Sequence, residues 1–432
     1  MRTIITLAIA GCLCAPLWAQ PLFDYIAAPD ACFAWQKTTD SATNDGGALT
    51  RLEMTSQVWQ GITWKHRIAV ARPQVCQHPQ TCLLFITGGD PVGQEFVLAM
   101  MVANQVGLPV AVLGDIPNQP LFDGLREDAL ISYTFNKVLE TGDTTWPALY
   151  PMTKAAVRAM DALQQMSQQE WEDAIETFVI GGASKRGWTT WFTGQVDERV
   201  IGIVPMVYDN LNLAAQMQHQ IRQWGAYSPQ IDDYTSKGLP DFIGSEAGRR
   251  LADMVDPYTY RDRATMPKLI VAGTNDPYWP LGAANDYFAD LVGPKHLLYA
   301  PNSGHGLDDR VRVIQGVAAF AAWRVGEIQF PQLRWELQGG EDGAGRIVAH
   351  SEPAPERVLL WTAKSDTGDF RPSKWVSEEL EAQDGRYGCT VQAAEGSFAA
   401  AYLEFDYQLG DYPLPLCTQM QVVGPYPVED RR

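Results

Sequence analysis

Phe178-Val179-Ile180-Gly181-Gly182-Ala183-Ser184-Lys185-Arg186-Gly187-Trp188 is the stretch on which the reading of this chain turns. An apolar run enters a Gly-x-Ser turn, and a helix-compatible segment follows. A serine nucleophile needs this layout. It must stand on a strained turn, clear of a sheet, with small neighbours that let the chain fold back beneath it. The same turn aims the positive end of the next helix at the serine, where it favours a developing oxyanion. One position departs from the usual pentapeptide: Arg186 stands where a glycine is expected, and Gly187 follows it. On this segment alone, a Gly-rich turn with an idle serine stays open.

Two further segments extend the pattern. Leu269-Ile270-Val271-Ala272-Gly273-Thr274-Asn275-Asp276 is an apolar strand that delivers an acid at its carboxyl end. Such an acid orients a histidine tautomer and stabilises the imidazolium formed during catalysis, although turn or N-cap aspartates are common. Tyr299-Ala300-Pro301-Asn302-Ser303-Gly304-His305-Gly306 places a histidine in a Gly-flanked loop after the next strand. Of the other histidines, His66 falls in an early hairpin, His78 in a cysteine-flanked turn, His219 in an insertion, His296 at a strand start and His350 near the C-terminus. Only His305 follows the acid at the end of a strand and just before a helix. The order Ser184, Asp276, His305, each after a strand, is the chain order of the α/β-hydrolase triad. An oxyanion hole is then expected from the Lys185 amide and from Gly88 or Gly89, with Asp90 as the alternative, in the loop after Leu83–Thr87.

Around these segments the chain alternates. Leu52 to Trp59 and Ile62 to Val70 read as a hairpin joined at Gln60-Gly61. Leu83 to Thr87, Val110 to Leu113, Phe178 to Ile180, Val200 to Val207, Leu269 to Ala272 and Leu297 to Tyr299 read as short apolar strands. Between and after them lie helical stretches at Phe96 to Val106, Glu127 to Glu140, Thr153 to Met166 and Arg310 to Arg324. This predicts an α/β fold, a mostly parallel sheet with helices on both faces. Residues 210–262 are long, polar and rich in Gln, Tyr and Gly, as expected of a cap insertion over the carboxyl edge. From residue 329 helical periodicity stops, and runs such as Val358 to Thr362 and Ala399 to Tyr407 predict a C-terminal all-β sandwich over 329–432, after a hydrolase-type domain over 20–328.

The chain has 432 residues, 46% hydrophobic and 19% charged, which suits a folded protein of about two domains. Its net charge of −18 disfavours contact with nucleic acid or anionic lipid. At the N-terminus, Arg2 and the apolar Thr3 to Leu13 lead to Leu17-Trp18-Ala19, predicting a signal peptide over 1–19 and a periplasmic or secreted protein. Ile9-Ala10-Gly11-Cys12 also resembles a lipobox, which offers a lipidated Cys12 as the alternative. No later segment is apolar enough to predict a transmembrane helix. Export permits disulfides, so Cys76 is expected to pair with Cys82 across the His78-Pro79 turn and Cys389 with Cys417, leaving Cys32 over. No cysteine or histidine spacing suggests a metal, and no cofactor is expected.

The chain resembles the PhoPQ-activated pathogenicity-related proteins over nearly its whole mature length. The resemblance rests on Pro117-Asn118-Gln119-Pro120-Leu121, Arg126-Glu127-Asp128-Ala129, Pro151-Met152-Thr153-Lys154-Ala155, Gly182 to Trp188, Asp209-Asn210-Leu211-Asn212, Asp256-Pro257-Tyr258, Asn275-Asp276 and Pro301 to His305. It implies an α/β-hydrolase fold and, from the envelope response in the family name, an exported protein. Where that family's pattern has a second acid and two phenylalanines, this chain has Pro277-Tyr278-Trp279, so the pocket lining differs. The elbow is also similar to that of glucuronoyl and some acetyl-xylan esterases, in which a basic residue follows the serine. Arg186, or Lys185 beside it, is therefore a candidate for binding a substrate carboxylate, unless both pair with protein acids. Trp188, Tyr278 and Trp279 are candidates for lining a pocket. The expected chemistry is a serine hydrolase working through an acyl-enzyme on a small ester; a prolyl-oligopeptidase-like peptidase on short peptides, or a non-catalytic binding protein, are the alternatives.

Overall fold

In this computed structural model, residues 20–43, 46–339 and 344–425 are described. The expected signal segment 1–19, with Cys12, lies outside them. After α1 (Gln20–Ala27) the chain runs through β1 (Ala34–Ala42), β2 (Ala48–Trp59) and β3 (Ile62–Arg72). Burial alternates along β2 and β3, so the period-two pattern of the sequence places one face on the core. Gln60 and Gly61 join them with φ of 50° and 75°, the positive pair that a two-residue hairpin turn requires. β1 is mostly exposed and pairs with β2 at the sheet's edge; its lack of an apolar face hid it from periodicity.

The next elements are β4 (Thr81–Ile86), α2 (Gln94–Val106), β5 (Val110–Leu113), α3 (Glu127–Thr141), α4 (Leu149–Glu170), β6 (Thr177–Ala183), α5 (Lys185–Val196) and β7 (Val200–Met206). α6 (Leu213–Trp224), α7 (Asp232–Thr235), α8 (Leu239–Phe242) and α9 (Glu246–Val255) follow within the expected insertion. β8 (Lys268–Gly273), β9 (Lys295–Ala300) and α10 (Arg310–Arg324) return to the sheet. The strand order is β1-β2-β3-β5-β4-β6-β7-β8-β9. β3 is antiparallel to both neighbours, and the pairs from β5 to β9 are parallel. Taken from β2 onward, this is the topology of the α/β-hydrolase fold. Its inner strands read as unbroken apolar runs because helices cover both faces. Leu84 and Ile180 enter the core beneath α4 and α5, while Leu83 and Val179 enter the one beneath α2 and α10.

The C-terminal part adds β10 (Gln332–Gly339), β11 (Ala344–Glu352), β12 (Arg357–Ser365), β13 (Val376–Glu379), β14 (Tyr387–Gln392), β15 (Phe398–Leu409), β16 (Tyr412–Cys417) and β17 (Gln421–Val423). It forms two layers. One is the sheet β10-β11-β14; the other is β16-β15-β12-β13, with β17 against β15. This second layer continues the central sheet, because β16 pairs antiparallel with β9 at Cys417 and Leu297. The join is reinforced by Glu404, fully buried on β15, whose Oε2 lies 2.6 Å from Arg312 Nη1 on α10.

The two expected disulfides are not formed. Cys32, Cys76, Cys82, Cys389 and Cys417 all carry free thiols. Cys82 is buried within β4 between β5 and β6, whereas Cys76 lies in the preceding loop. Cys389 is on β14 and Cys417 on β16, strands of different sheets, and the Cys417 Sγ accepts the Tyr299 amide at 3.4 Å.

Candidate active site

Ser184 sits between β6 and α5 with φ 57° and ψ −125°, a conformation costly for any residue with a Cβ. The turn is held by the Ser184 amide donating to Met206 O at 2.8 Å. Small residues are needed around it. A Cβ on Gly182 would lie 2.7 Å from Arg186 O, and one on Gly187 would lie 2.8 Å from Met206 O. Arg186 is accommodated in the usual glycine position because its side chain leaves the turn across Gly88, where an added Cβ would sit 1.8 Å from Nη2.

Both cations beside the serine are paired. Arg186 donates from Nη1 and Nη2 to the two Glu127 oxygens, each at 2.7 Å, and from Nε to Ile116 O at 2.6 Å. Lys185 Nζ lies 3.0 Å from Glu127 Oε2 and 3.0 Å from Asp128 Oδ2. Burial would raise the Glu127 carboxyl, but hydrogen bonds and charge from Arg186, with Lys185 and Gln119, hold it down to about 2. Asp128 also accepts the Tyr234 hydroxyl at 2.9 Å. Arg186, expected against substrate, thus faces the Glu127 carboxylate and is not among the residues that line the cavity described below.

Asp276 follows β8 and is buried. Its Oδ1 accepts the Tyr278 amide at 2.8 Å, and its Oδ2 lies 2.8 Å from His305 Nδ1. That contact places the imidazole proton on Nδ1 and leaves Nε2 as the basic nitrogen. Nε2 is buried and has no hydrogen-bond partner among the described residues. The Tyr278 ring stands over the imidazole, centroids 4.1 Å apart.

The loops carrying the acid and the imidazole are anchored from the C-terminal layers. Asn275 Nδ2 donates to the carbonyls of Phe370, Arg371 and Ser373 at 3.3, 3.1 and 2.7 Å. Asn302 accepts the Trp375 amide at 2.8 Å and donates to Trp375 O at 3.1 Å. Asn275 and Asn302 appear within the family motifs, yet nothing local in the sequence indicates a partner so far along the chain.

Ser184, Lys185, Asp128, Trp188, Tyr208, Asn210, Tyr278 and Trp279 line a cavity roofed by α6 to α9, with Leu213, Leu239 and Leu251 among the apolar contacts. The structure therefore brings Ser184 together with Trp188, Tyr278 and Trp279. Tyr208 and Asn210 were missed; their signal was the Asp209-Asn210 motif at the end of β7. The Lys185 amide, at the first position of α5, has no intrahelical acceptor. Gly88 and Gly89 follow β4, and the Gly89 amide meets Thr87 Oγ1 only at 3.5 Å.

Behind the acid lies Asp209, buried, which accepts the Tyr287 hydroxyl at 2.6 Å. Burial, the Tyr287 hydrogen bond acting against it, and the Asp276 and Asp286 charges leave this carboxyl raised to about 7. Among the described residues no group of three or more His, Cys, Asp or Glu side chains could hold a metal ion, and no helix is long and apolar enough to cross a membrane.

The strand order and the turn at Ser184 define a protein of the α/β-hydrolase fold. The chain belongs to the PhoPQ-activated pathogenicity-related protein family, whose pattern it matches over residues 22–371. It is 31% identical over 437 residues to autocrine proliferation repressor protein A of Dictyostelium discoideum, covering 91% of this chain and 87% of that protein. Among solved structures it is similar to acetyl xylan esterase 1 from Thermoanaerobacterium sp. JW/SL YS485, at 12% identity and a TM-score of 0.48, over 72% of this chain and 92% of that one. A glucuronoyl esterase from Solibacter usitatus gives 12% identity and a TM-score of 0.42, over 71% and 92%.

Proposed function

We propose that this protein is an exported serine hydrolase that cleaves carboxylic esters through an acyl-enzyme. The observation that carries the reading is Ser184, held at φ 57° where it lines the cavity, in a fold whose loops after β8 and β9 carry the paired Asp276 and His305. Ser184 Oγ attacks the ester carbonyl carbon as its proton passes to His305 Nε2. Asp276 stabilises the imidazolium, and the Lys185 amide at the helix start stabilises the oxyanion. The C–O bond then breaks, the leaving alkoxide takes the proton from His305, and water attacks the acyl-enzyme by the same relay to release the acid. Tyr278 covers the imidazole and His305 Nε2 has no hydrogen-bond partner among the described residues, so the reading requires the Ser184–His305 hydrogen bond to form with substrate bound, as catalytic hydrogen bonds often do. Export rests on the N-terminal sequence.

A fluorophosphonate probe tests this directly. The wild-type protein is expected to be labelled, with labelling lost in both Ser184→Ala and His305→Ala. Absence of wild-type labelling, or labelling that survives in Ser184→Ala, would overturn the reading.

A further inference from the structure

Aromatic and aliphatic side chains make most of the wall of the cavity above Ser184. They come from the hydrolase body, as Phe135 on α3 and Trp188 on α5, and from the cap, as Met217 on α6 and Leu251 on α9. Tyr208 stacks on Trp188 with centroids 4.9 Å apart, and Trp279 meets Tyr208 edge-on at 6.0 Å. Phe242 on α8 lines the same cavity and is 47% exposed, so the apolar wall runs from Ser184 out to the surface.

The polar tips within this wall are spent on the protein. Trp188 Nε1 donates to Val255 O at 2.7 Å, and Trp279 Nε1 donates to Val207 O at 3.2 Å. The Tyr234 hydroxyl donates to Asp128 at 2.9 Å. The Tyr208 hydroxyl and Asn210 Oδ1 are buried and present essentially no accessible surface to a ligand. Lys185 is the one cation and Asp128 the one acid among the described lining residues, and they lie 3.0 Å apart. A charged acyl group would therefore lose its hydration without gaining a free counter-charge. An apolar one gains with every carbon that it buries.

The cavity also distinguishes the two halves of an ester. Ser184 lines it, and His305 is not among its lining residues. In the proposed reaction the alkoxide leaves with the proton of His305, while the acyl group stays on Ser184. Space that adjoins the serine but not the imidazole suits the half that stays.

We infer that this cavity is the acyl pocket, and that it takes uncharged esters whose acyl group is apolar and extends several carbons beyond acetyl. The inference deepens the serine-hydrolase reading and rests on it.

The test has a binding arm that does not depend on turnover. In the Ser184→Ala protein, displacement of the neutral fluorophore N-phenyl-1-naphthylamine reports entry of an ester into the apolar cavity. From methyl acetate to methyl hexanoate, affinity is expected to rise about threefold per methylene. Monomethyl adipate and methyl 6-aminohexanoate, each charged at the chain end, are expected to bind about tenfold more weakly than methyl hexanoate. In the wild-type protein, kcat/KM should climb along the same acyl series and stay within about threefold from methyl acetate to hexyl acetate. Ala252→Phe, which fills the cavity from α9, is expected to lower the hexanoate-to-acetate ratio about tenfold. Met217→Ala, which widens it from α6, should move the preference toward octanoate. The two substitutions act in opposite directions, so a folding defect in one leaves the other to decide.

Flat affinity along the acyl series, tighter binding of either charged ester, or a preference unchanged in both variants would overturn the inference. Equal climbs along the acyl and alkyl series would overturn the acyl assignment. Fluorophosphonate labelling separates the two levels. Labelling with flat affinity removes the acyl pocket and leaves the hydrolase, whereas a chain-length preference without labelling leaves an apolar binding site and removes the hydrolase.

Discussion

The Arg186 guanidinium forks onto the Glu127 carboxylate, both contacts 2.7 Å long, immediately beside the turn that presents Ser184. Arg186 is buried while Glu127 is half-exposed, so the pair is a brace for the elbow rather than a surface ion pair. Glu127→Gln removes the negative charge and leaves both Arg186 and Lys185 undercompensated. The expected loss is about 2 kcal/mol of stability, read by urea denaturation. Because the Glu127 carboxyl is held down to about 2, its contribution is present above its ordinary value of 4.5 and is lost as pH falls through the folded value. The variant should therefore differ from wild type at neutral pH and converge with it in strong acid.

Ser184 stores backbone strain, and glycine should relieve it. Ser184→Gly is expected to be more stable than Ser184→Ala by about 1 kcal/mol, with fluorophosphonate labelling absent in both. Equal denaturation midpoints for the two variants would show that the turn is not strained.

The three carbonyls held by Asn275 fix the chain next to Asp276, the proposed triad acid. Asn275→Ala is expected to slow fluorophosphonate labelling about tenfold through a misplaced Asp276–His305 pair. The folded protein should persist by circular dichroism, and Ser184 should still be the residue labelled. An unchanged labelling rate would mean that the C-terminal layers do not position the site.

Asp209 gives a pH signature of the opposite sign to Glu127. Its carboxyl is raised to about 7 from an ordinary 3.8, so the folded state holds the proton more tightly than the unfolded state. Stability should then fall as pH rises from about 4 to about 7. Asp256, raised to about 6 mainly by burial, adds to the same slope. Asp209→Asn keeps an acceptor for Tyr287 and is expected to be more stable than wild type by about 2 kcal/mol at pH 8. Its denaturation midpoint should also vary less between pH 5 and pH 8.

Local pattern was enough for the strands β2 to β9, for most of the helices packed on them, and for the three residues placed after β6, β8 and β9, but not for β1 or the helices of the insertion. Each is encoded within a few residues: an apolar run sets a buried strand, and the Gly-x-Ser turn sets the elbow. The amino-acid order also set which loops would share the carboxyl edge, because parallel strands with right-handed crossovers leave little choice. What pairs with what across the fold was decided only by tertiary structure. In the sequence the cations beside the serine left open a substrate carboxylate or a protein acid as partner, and packing turned them onto Glu127 and Asp128. The cysteines read as pairs, and the sheets set Cys389 and Cys417 on different layers. The C-terminal strands read as an independent sandwich, yet β16 extends the central sheet and the 370–375 segment clamps Asn275 and Asn302. Those contacts join residues about a hundred positions apart. Their energy depends on burial and geometry that exist only once the layers have docked, and no window of local sequence contains that information.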